Sequence, residues 1–364
     1  ERGSVPSNEM FKLFDRYGNT LVLRPDMTPS IVRTAAKYYA DNLLPVKLCY
    51  AGNTFINVSK YYQGKLKENT MVGAELIGDS SIDADFDIIS MVIDCMKNAG
   101  LTEFQVEIGN VSYFKGLLDE AGISGDDEEN LVSLIQEKNF LGVEELLESL
   151  NIDKHIADVL LALPQLFGSV EVLEKAKALT DNKECLAAID RLYALYNLCR
   201  ITGADKYVSF DLGELSNHAY YTGIVFEVYI PSLGAQKQVC GGGTYSLIKI
   251  FGGEEVVSTG FAFGFDRLMN AIEELATPKE LPCPIDIYVA PISDDVRLKA
   301  YEITQTLRSA GIACDVDLNG KKFKKIMNHA NKIKVKQVAI IGAKDLENNQ
   351  ITIKNMESGN QELV

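Results

Sequence analysis

No uninterrupted apolar run in this chain approaches the roughly 18 residues that a membrane helix needs. Glu1 to Asn8 is mostly polar and carries no signal-peptide pattern. The seven cysteines, Cys49, Cys95, Cys185, Cys199, Cys240, Cys283 and Cys314, are odd in number, and no two stand in C-x-x-C spacing. That argues against a disulfide framework or a structural zinc, and for reduced, mostly buried thiols in a cytoplasmic protein. Positive charge is short: 36 Lys and Arg stand against 51 Asp and Glu, a net −15. A surface that holds a nucleic-acid backbone is usually basic, so the charge of the whole chain disfavours such binding. Neither the Walker nor the Rossmann glycine pattern occurs. Of the three histidines, His155 falls in an acidic segment and His329 on a lysine-rich one, and neither has a triad partner nearby in sequence. No catalytic nucleophile, metal site or cofactor is assigned.

What is present suits two or three folded domains, with 46% hydrophobic and 24% charged residues over 364 positions. Charge divides the chain. Lys115 to Arg200 holds 8 basic and 17 acidic residues, whereas Ile285 to Val364 holds 12 and 10. Periodicity and punctuation predict strands at 20–23, 46–50, 71–77 and 104–108, and helices at 27–39 (Asp26 or Thr28 as N-cap) and 82–98. Residues 113–200 read as about five short helices forming a module able to pack a small core of its own. Strands return at 208–212, 224–230 and 236–240; residues 256–263 are apolar with small residues and continue into a helix over 265–275. The prolines of 277–284 mark a linker. The tail predicts strands at 286–290, 313–316, 337–341 and 350–354, with helices at 293–310 (Ser293 as N-cap) and 323–332, a mainly parallel sheet.

Three constellations carry chemistry. In Arg24-Pro25-Asp26-Met27-Thr28-Pro29 a carboxylate and a hydroxyl two residues apart at a strand-to-helix turn suit an ammonium group, and equally suit a helix cap. Tyr220-Tyr221-Thr222-Gly223 leads into a strand and suits either an amino-acid pocket or a tyrosine core. Gly241-Gly242-Gly243-Thr244-Tyr245 and Gly260-Phe261-Ala262-Phe263-Gly264-Phe265-Asp266-Arg267 suit either close approach of a phosphate or tight sheet packing. Lys321, Lys322, Lys324 and Lys325 open a basic stretch, either an anion contact or a solvated helix face.

Taken in order, these pieces resemble the class II core of histidyl-tRNA synthetase. Ala51-Gly52-Asn53-Thr54-Phe55 and Val72-Gly73-Ala74-Glu75-Leu76-Ile77-Gly78 add to the likeness. The tail resembles that family's anticodon-binding domain through Asn319 to Lys325 and Val338-Ala339-Ile340-Ile341-Gly342. The resemblance implies an α+β fold: an antiparallel sheet with flanking helices and a helical insertion at about 115–200 within residues 1–276, a linker at 277–284, and a C-terminal α/β anticodon-binding-like domain at 285–364. It also sets Glu1 inside the synthetase core, past the dimer element of motif 1.

The departures from active synthetases are specific. The arginine and glutamate that follow the family's phenylalanine are Ile56 and Val58. The arginine of the Arg-Gly-Leu-Asp run gives way to Ser216-Asn217-His218-Ala219, and a glutamine gives way to Met71. An aliphatic side chain supplies none of the bidentate charge that phosphoryl chemistry uses. Asp26-Met27-Thr28-Pro29, Phe210 to Leu215 and Leu161 to Gly168 are similar instead to the regulatory subunit of ATP phosphoribosyltransferase, a synthetase paralogue of histidine biosynthesis. That likeness implies a catalytically silent subunit partnered by the short-form catalytic subunit, as a homodimer within a hetero-oligomer. It implies histidine as effector at Asp26, Thr28, Tyr220 and Tyr221, and a nucleotide-site remnant at Gly260, Gly264 and Arg267; the run lengths and the acidic charge separately predict no membrane contact and no specific tRNA binding. The alternative is a divergent histidyl-tRNA synthetase.

Overall fold

The computed structural model describes residue 5 and residues 7–39, 44–57, 66–137, 139–215, 221–236, 238–275, 283–318 and 322–364. The chain divides into two compact units, residues 1–278 and 279–364.

The first unit opens with a hairpin of β1 (Lys12–Phe14) and β2 (Thr20–Val22), and then α1 (Thr28–Tyr38). Its centre is an eight-stranded sheet. β3 (Val46–Phe55) and β4 (Glu68–Ile77) pair antiparallel and run longer than their apolar stretches, because polar residues alternate along the ladder. β5 (Gln105–Asn110), β6 (Phe167–Gly168), β7 (Val208–Asp211), β8 (Tyr221–Tyr229), β9 (Gln238–Tyr245) and β10 (Ser258–Gly264) complete it in the order β3-β4-β10-β9-β8-β5-β7-β6. All pairings are antiparallel except β5 with β7.

One face of this sheet is covered. α2 (Ile82–Asn98) begins where sequence places it, because the Ser81 hydroxyl accepts from the Ala84 amide at 3.2 Å. Its buried stripe of Ile88, Ile89, Val92, Ile93 and Met96 packs on the sheet, each such side chain contributing about 1.5–3 kcal/mol. The insertion holds six described helices rather than five: α3 (Val111–Ala121), α4 (Asp126–Gln136), α5 (Phe140–Ser149), α6 (Lys154–Ala162), α7 (Glu171–Ala178) and α8 (Lys183–Thr202). They form no separate core. Leu117, Leu131, Leu160, Leu173 and Leu192 join one cluster with Ile89, Ile108 and Phe226 of α2 and the sheet. The reason is topological: α3 follows β5 directly, α8 packs on α2 and α3, and β6 pairs with β7. α9 (Phe265–Leu275) follows β10 without a break.

Other expectations change in detail. Neither Asp26 nor Thr28 caps α1 through its side chain; Met27 occupies the cap position and Pro29 the first turn. The three consecutive glycines lie inside β9, not after a strand. A Cβ on Gly242 would fall 2.2 Å from the Gly260 carbonyl and 2.6 Å from the Phe226 ring, so close sheet packing accounts for that glycine.

The second unit is a five-stranded sheet in the order β12-β11-β13-β14-β15. β11 (Ile287–Pro291), β12 (Cys314–Val316) and β13 (Gln337–Ile341) are parallel, while β14 (Thr352–Asn355) and β15 (Gln361–Leu363) close the edge antiparallel. α10 (Arg297–Ser309), α11 (Phe323–Lys332) and α12 (Ala343–Glu347) connect them. Ser293 precedes a short 3-10 turn instead of capping α10, and the last two strands extend beyond the single strand expected there.

Candidate functional site

The other face of the large sheet is built from small residues. Strand register sets Glu75, Gly260, Gly243, Val225 and Gly109 in one row, and Gly73, Ala262, Gly241, Glu227 and Glu107 in the next row on that face. With six glycines and alanines among ten positions, backbone forms most of the floor. Gly264 lies farther along β10, opposite Met71.

Glu75 is the centre. It is 2% exposed and accepts two hydrogen bonds, from Thr28 Oγ1 at 2.9 Å and from Tyr245 Oη at 2.7 Å. Asp26 fixes Thr28: its Oδ1 accepts from the Thr28 amide at 3.1 Å, an Asx-type turn that delivers the hydroxyl into the sheet. Gly260 leaves the space the carboxylate fills, since a Cβ there would lie 1.7 Å from Oε2. The Tyr50 hydroxyl is buried beside this group, close enough to Glu75 and Thr28 to interact with both. Burial pushes the Glu75 carboxyl up to about 8; the bonds from Tyr245 and Thr28 lower it, and the charge of Asp26 raises it further. Burial, then the charges of Glu75 and Asp26, pushes the Tyr50 phenol up as well.

That titration has a measurable consequence. Unfolded, Glu75 would ionise near 4.5. Between about pH 4.5 and 8 the folded chain therefore holds a proton that the unfolded chain has lost. Stability falls with pH wherever the folded state binds more protons, so this group's contribution declines across that window. Glu75→Gln removes the decline. The melting temperature of the parent should fall relative to Glu75→Gln from pH 5 to pH 9, measured by calorimetry; a constant difference would contradict the assignment.

Thr28 and Tyr221 converge with Tyr245: the Tyr221 ring lies about 3.0 Å from where a Gly243 Cβ would stand and packs in the same cluster as Tyr245 and Val32 of α1. Thr28 thus contacts Glu75 directly, Asp26 acts through Thr28, and Tyr221 packs over Gly243 beside Tyr245. Tyr220 lies outside the described residues, as do Val58 and 216–219. Arg267 is exposed and spends Nη1 on the Gln238 carbonyl at 3.1 Å. Ile56 donates its amide to the Lys67 carbonyl at 2.9 Å and offers only an aliphatic side chain. Farther along the sheet, Glu107, Asp211, Glu214 and Glu227 form a second acidic group. Burial first, then Glu227, Asp211 and Glu107, pushes the Glu214 carboxyl up; Tyr229 and Gln238 both donate to Glu227. Among the described residues no group of His, Cys, Asp and Glu is arranged to hold a metal ion, and no helix is long and apolar enough to cross a membrane.

Sequence reading passed over Glu75 and Tyr50 as site residues. The available signal was a lone acid in the apolar strand Ala74-Glu75-Leu76-Ile77, since a fully buried carboxylate needs partners.

The family model described as "Histidyl-tRNA synthetase" matches residues 1–268, and that described as "Anticodon binding domain" matches residues 286–364. This chain belongs to the histidyl-tRNA synthetase family. Within that family it is 36% identical over 362 residues to the ATP phosphoribosyltransferase regulatory subunit of Acetivibrio thermocellus, covering 99% of this chain and 84% of that protein. It is 34% identical over 371 residues to the histidine–tRNA ligase of Thermococcus kodakarensis, covering 100% and 84%. A crystal structure from Bacillus halodurans, titled as an ATP phosphoribosyltransferase regulatory subunit/histidyl-tRNA synthetase, superposes with a TM-score of 0.75 at 32% identity, over 90% of this chain and 83% of that one. The fold is therefore the class II synthetase fold with an anticodon-binding domain.

Proposed function

We propose that this chain is a histidyl-tRNA synthetase-like regulatory subunit of ATP phosphoribosyltransferase in histidine biosynthesis, without adenylation activity of its own. One observation carries the reading. Ile56, an aliphatic residue, stands where the family resemblance puts the arginine that neutralises the α-phosphate of ATP. Losing one preorganised charge of that kind costs roughly 10²–10³ in rate. Glu107 and Glu227, paired across one row of the sheet, add repulsion toward a triphosphate. Gly260, Gly264 and Arg267 are then the remnant of a nucleotide site. Histidine-dependent ATP–pyrophosphate exchange should stay at the blank. Exchange well above it would favour the divergent synthetase, a reading kept alive by the 34% identity to a ligase.

The partner is a short-form ATP phosphoribosyltransferase catalytic subunit, with this chain as a homodimer inside the hetero-oligomer. Specific tRNA binding is not expected: residues outside 285–364 carry −17, from −15 minus +2, and repel phosphate.

Histidine is the proposed effector, held at Asp26, Thr28, Tyr220 and Tyr221. The carboxylate of Asp26 and the hydroxyl of Thr28 beside Glu75 support this, because such a pair suits an ammonium group. A cationic group beside Glu75 favours its ionised form, and that carboxyl is protonated at pH 7, so binding should release a proton. Calorimetric titration of histidine in buffers of different ionisation enthalpy reads this directly. Asp26→Ala should weaken binding at least tenfold, in the range of a lost charge-assisted bond. Equal binding by Asp26→Ala, or no proton release, would count against the pocket.

A further inference from the structure

A cavity of about 270 Å³ opens on the helix side of the sheet, away from the face that carries Glu75. Thr244 and Thr259, which lie between the Glu75 row and the Tyr245 row, point the opposite way and bond to Asp85 of α2. The cavity floor is small and largely apolar: Ala187 and Ala188 of α8, Gly223, Thr244 and Val257. Charged groups stand at its two ends on α8. Arg191 is held in place by Nε and Nη2 bonds to Asp85 Oδ2 at 2.9 and 2.5 Å, and by Nη2 bonds to the Ser80 and Ser81 carbonyls at 3.0 and 3.2 Å. Its Nη1 makes no bond to any described residue and is left for a ligand. Glu184, exposed, lies seven residues earlier on the same helix face, about 10 Å away by helical rise.

We propose that this cavity is a second small-molecule site, for an amino acid with a basic side chain. The carboxylate lies on Arg191 Nη1, the cationic end on Glu184, and the aliphatic part on the alanine and glycine floor. Three features select that class. The volume of about 270 Å³ suits a small molecule. Arg191 is already paired with Asp85, so a plain anion gains little. Separated ends of opposite sign match a ligand with separated charges. The site is independent of the Asp26 pocket and stands or falls separately.

The test is calorimetric titration of L-lysine, L-arginine and L-histidine into the full chain carrying Asp26→Ala, with norleucine and cadaverine as probes lacking one charge each. At least one basic amino acid should bind once per chain. Both single-charge probes should bind at least tenfold more weakly. Glu184→Gln should reduce that preference over norleucine, and Ala187→Phe, which fills the cavity from an exposed position without touching Asp85, should abolish binding. The proposal is overturned if none of the three amino acids binds Asp26→Ala, or if Ala187→Phe binds as tightly as its parent. Loss of all binding on Asp26→Ala would leave the sheet-face pocket standing alone. Binding that ignores Asp26→Ala and vanishes in Ala187→Phe would leave only this one.

Discussion

Replacing Asp85 with alanine should destabilise the larger unit by about 3 kcal/mol, the lower end of what breaking a buried ion pair costs. Asp85 is 1% exposed and accepts four hydrogen bonds: two from Arg191, one from Thr244 Oγ1 at 3.0 Å and one from Thr259 Oγ1 at 2.9 Å. It ties α2, α8, β9 and β10 together at one point. Its removal leaves two buried hydroxyls with only the 3.4 Å contact between them, and a guanidinium without its counter-charge. The Arg191 side chain is 30% exposed, so water recovers part of that loss, which sets the lower end. Native-state hydrogen exchange should show protection in β9 and β10 falling roughly 100-fold, with the amides of 285–364 unchanged. A change of less than about threefold, within the ±0.5 kcal/mol of an ordinary surface substitution, would mean that the network is not what holds the insertion to the sheet.

Much of this was legible in the residues. α2, α9, α11 and β13 begin and end where periodicity and punctuation put them. Asp26, Thr28 and Tyr221 could be singled out because their motifs are local. What escaped depends on register. Glu75 meets Thr28 across 47 positions and Tyr245 across 170, and Asp85 meets Arg191 across 106. On its own helix Asp85 reads as one more acid in a first turn, favourable to the helix dipole. The leucines of 115–200 read as the core of a separate module because periodicity reports that a face is buried, not against what. The glycine run looked like a ligand loop because a missing Cβ is visible in sequence, whereas the Phe226 ring and the Gly260 carbonyl that require its absence are not.

The same register explains how a synthetase fold can be kept while its chemistry is lost. The Thr28–Glu75–Tyr245 cluster is part of the sheet's own packing, with Gly260 shaped around the carboxylate. Ile56 sits beyond the end of β3, bonded through its backbone to Lys67. An arginine there would contribute little to the fold, so under the proposed function its loss would remove adenylation without disturbing the cluster around Glu75. A pocket that binds histidine without consuming it is suited to sensing.

Sensing matters only if a partner responds, and the deciding measurement is the rate at which a short-form catalytic subunit transfers the phosphoribosyl group to ATP, with and without this chain. The catalytic subunit alone should be slow. Its rate should rise saturably with added chain to a fixed stoichiometry, and histidine should lower the rate of the mixture. Histidine should also change the affinity between the two proteins, by roughly 5–150-fold if the coupling is ordinary, and Asp26→Ala should blunt that change while leaving the stimulation in place. A catalytic subunit whose rate is unmoved by an excess of folded chain, with no complex detected, would contradict the account.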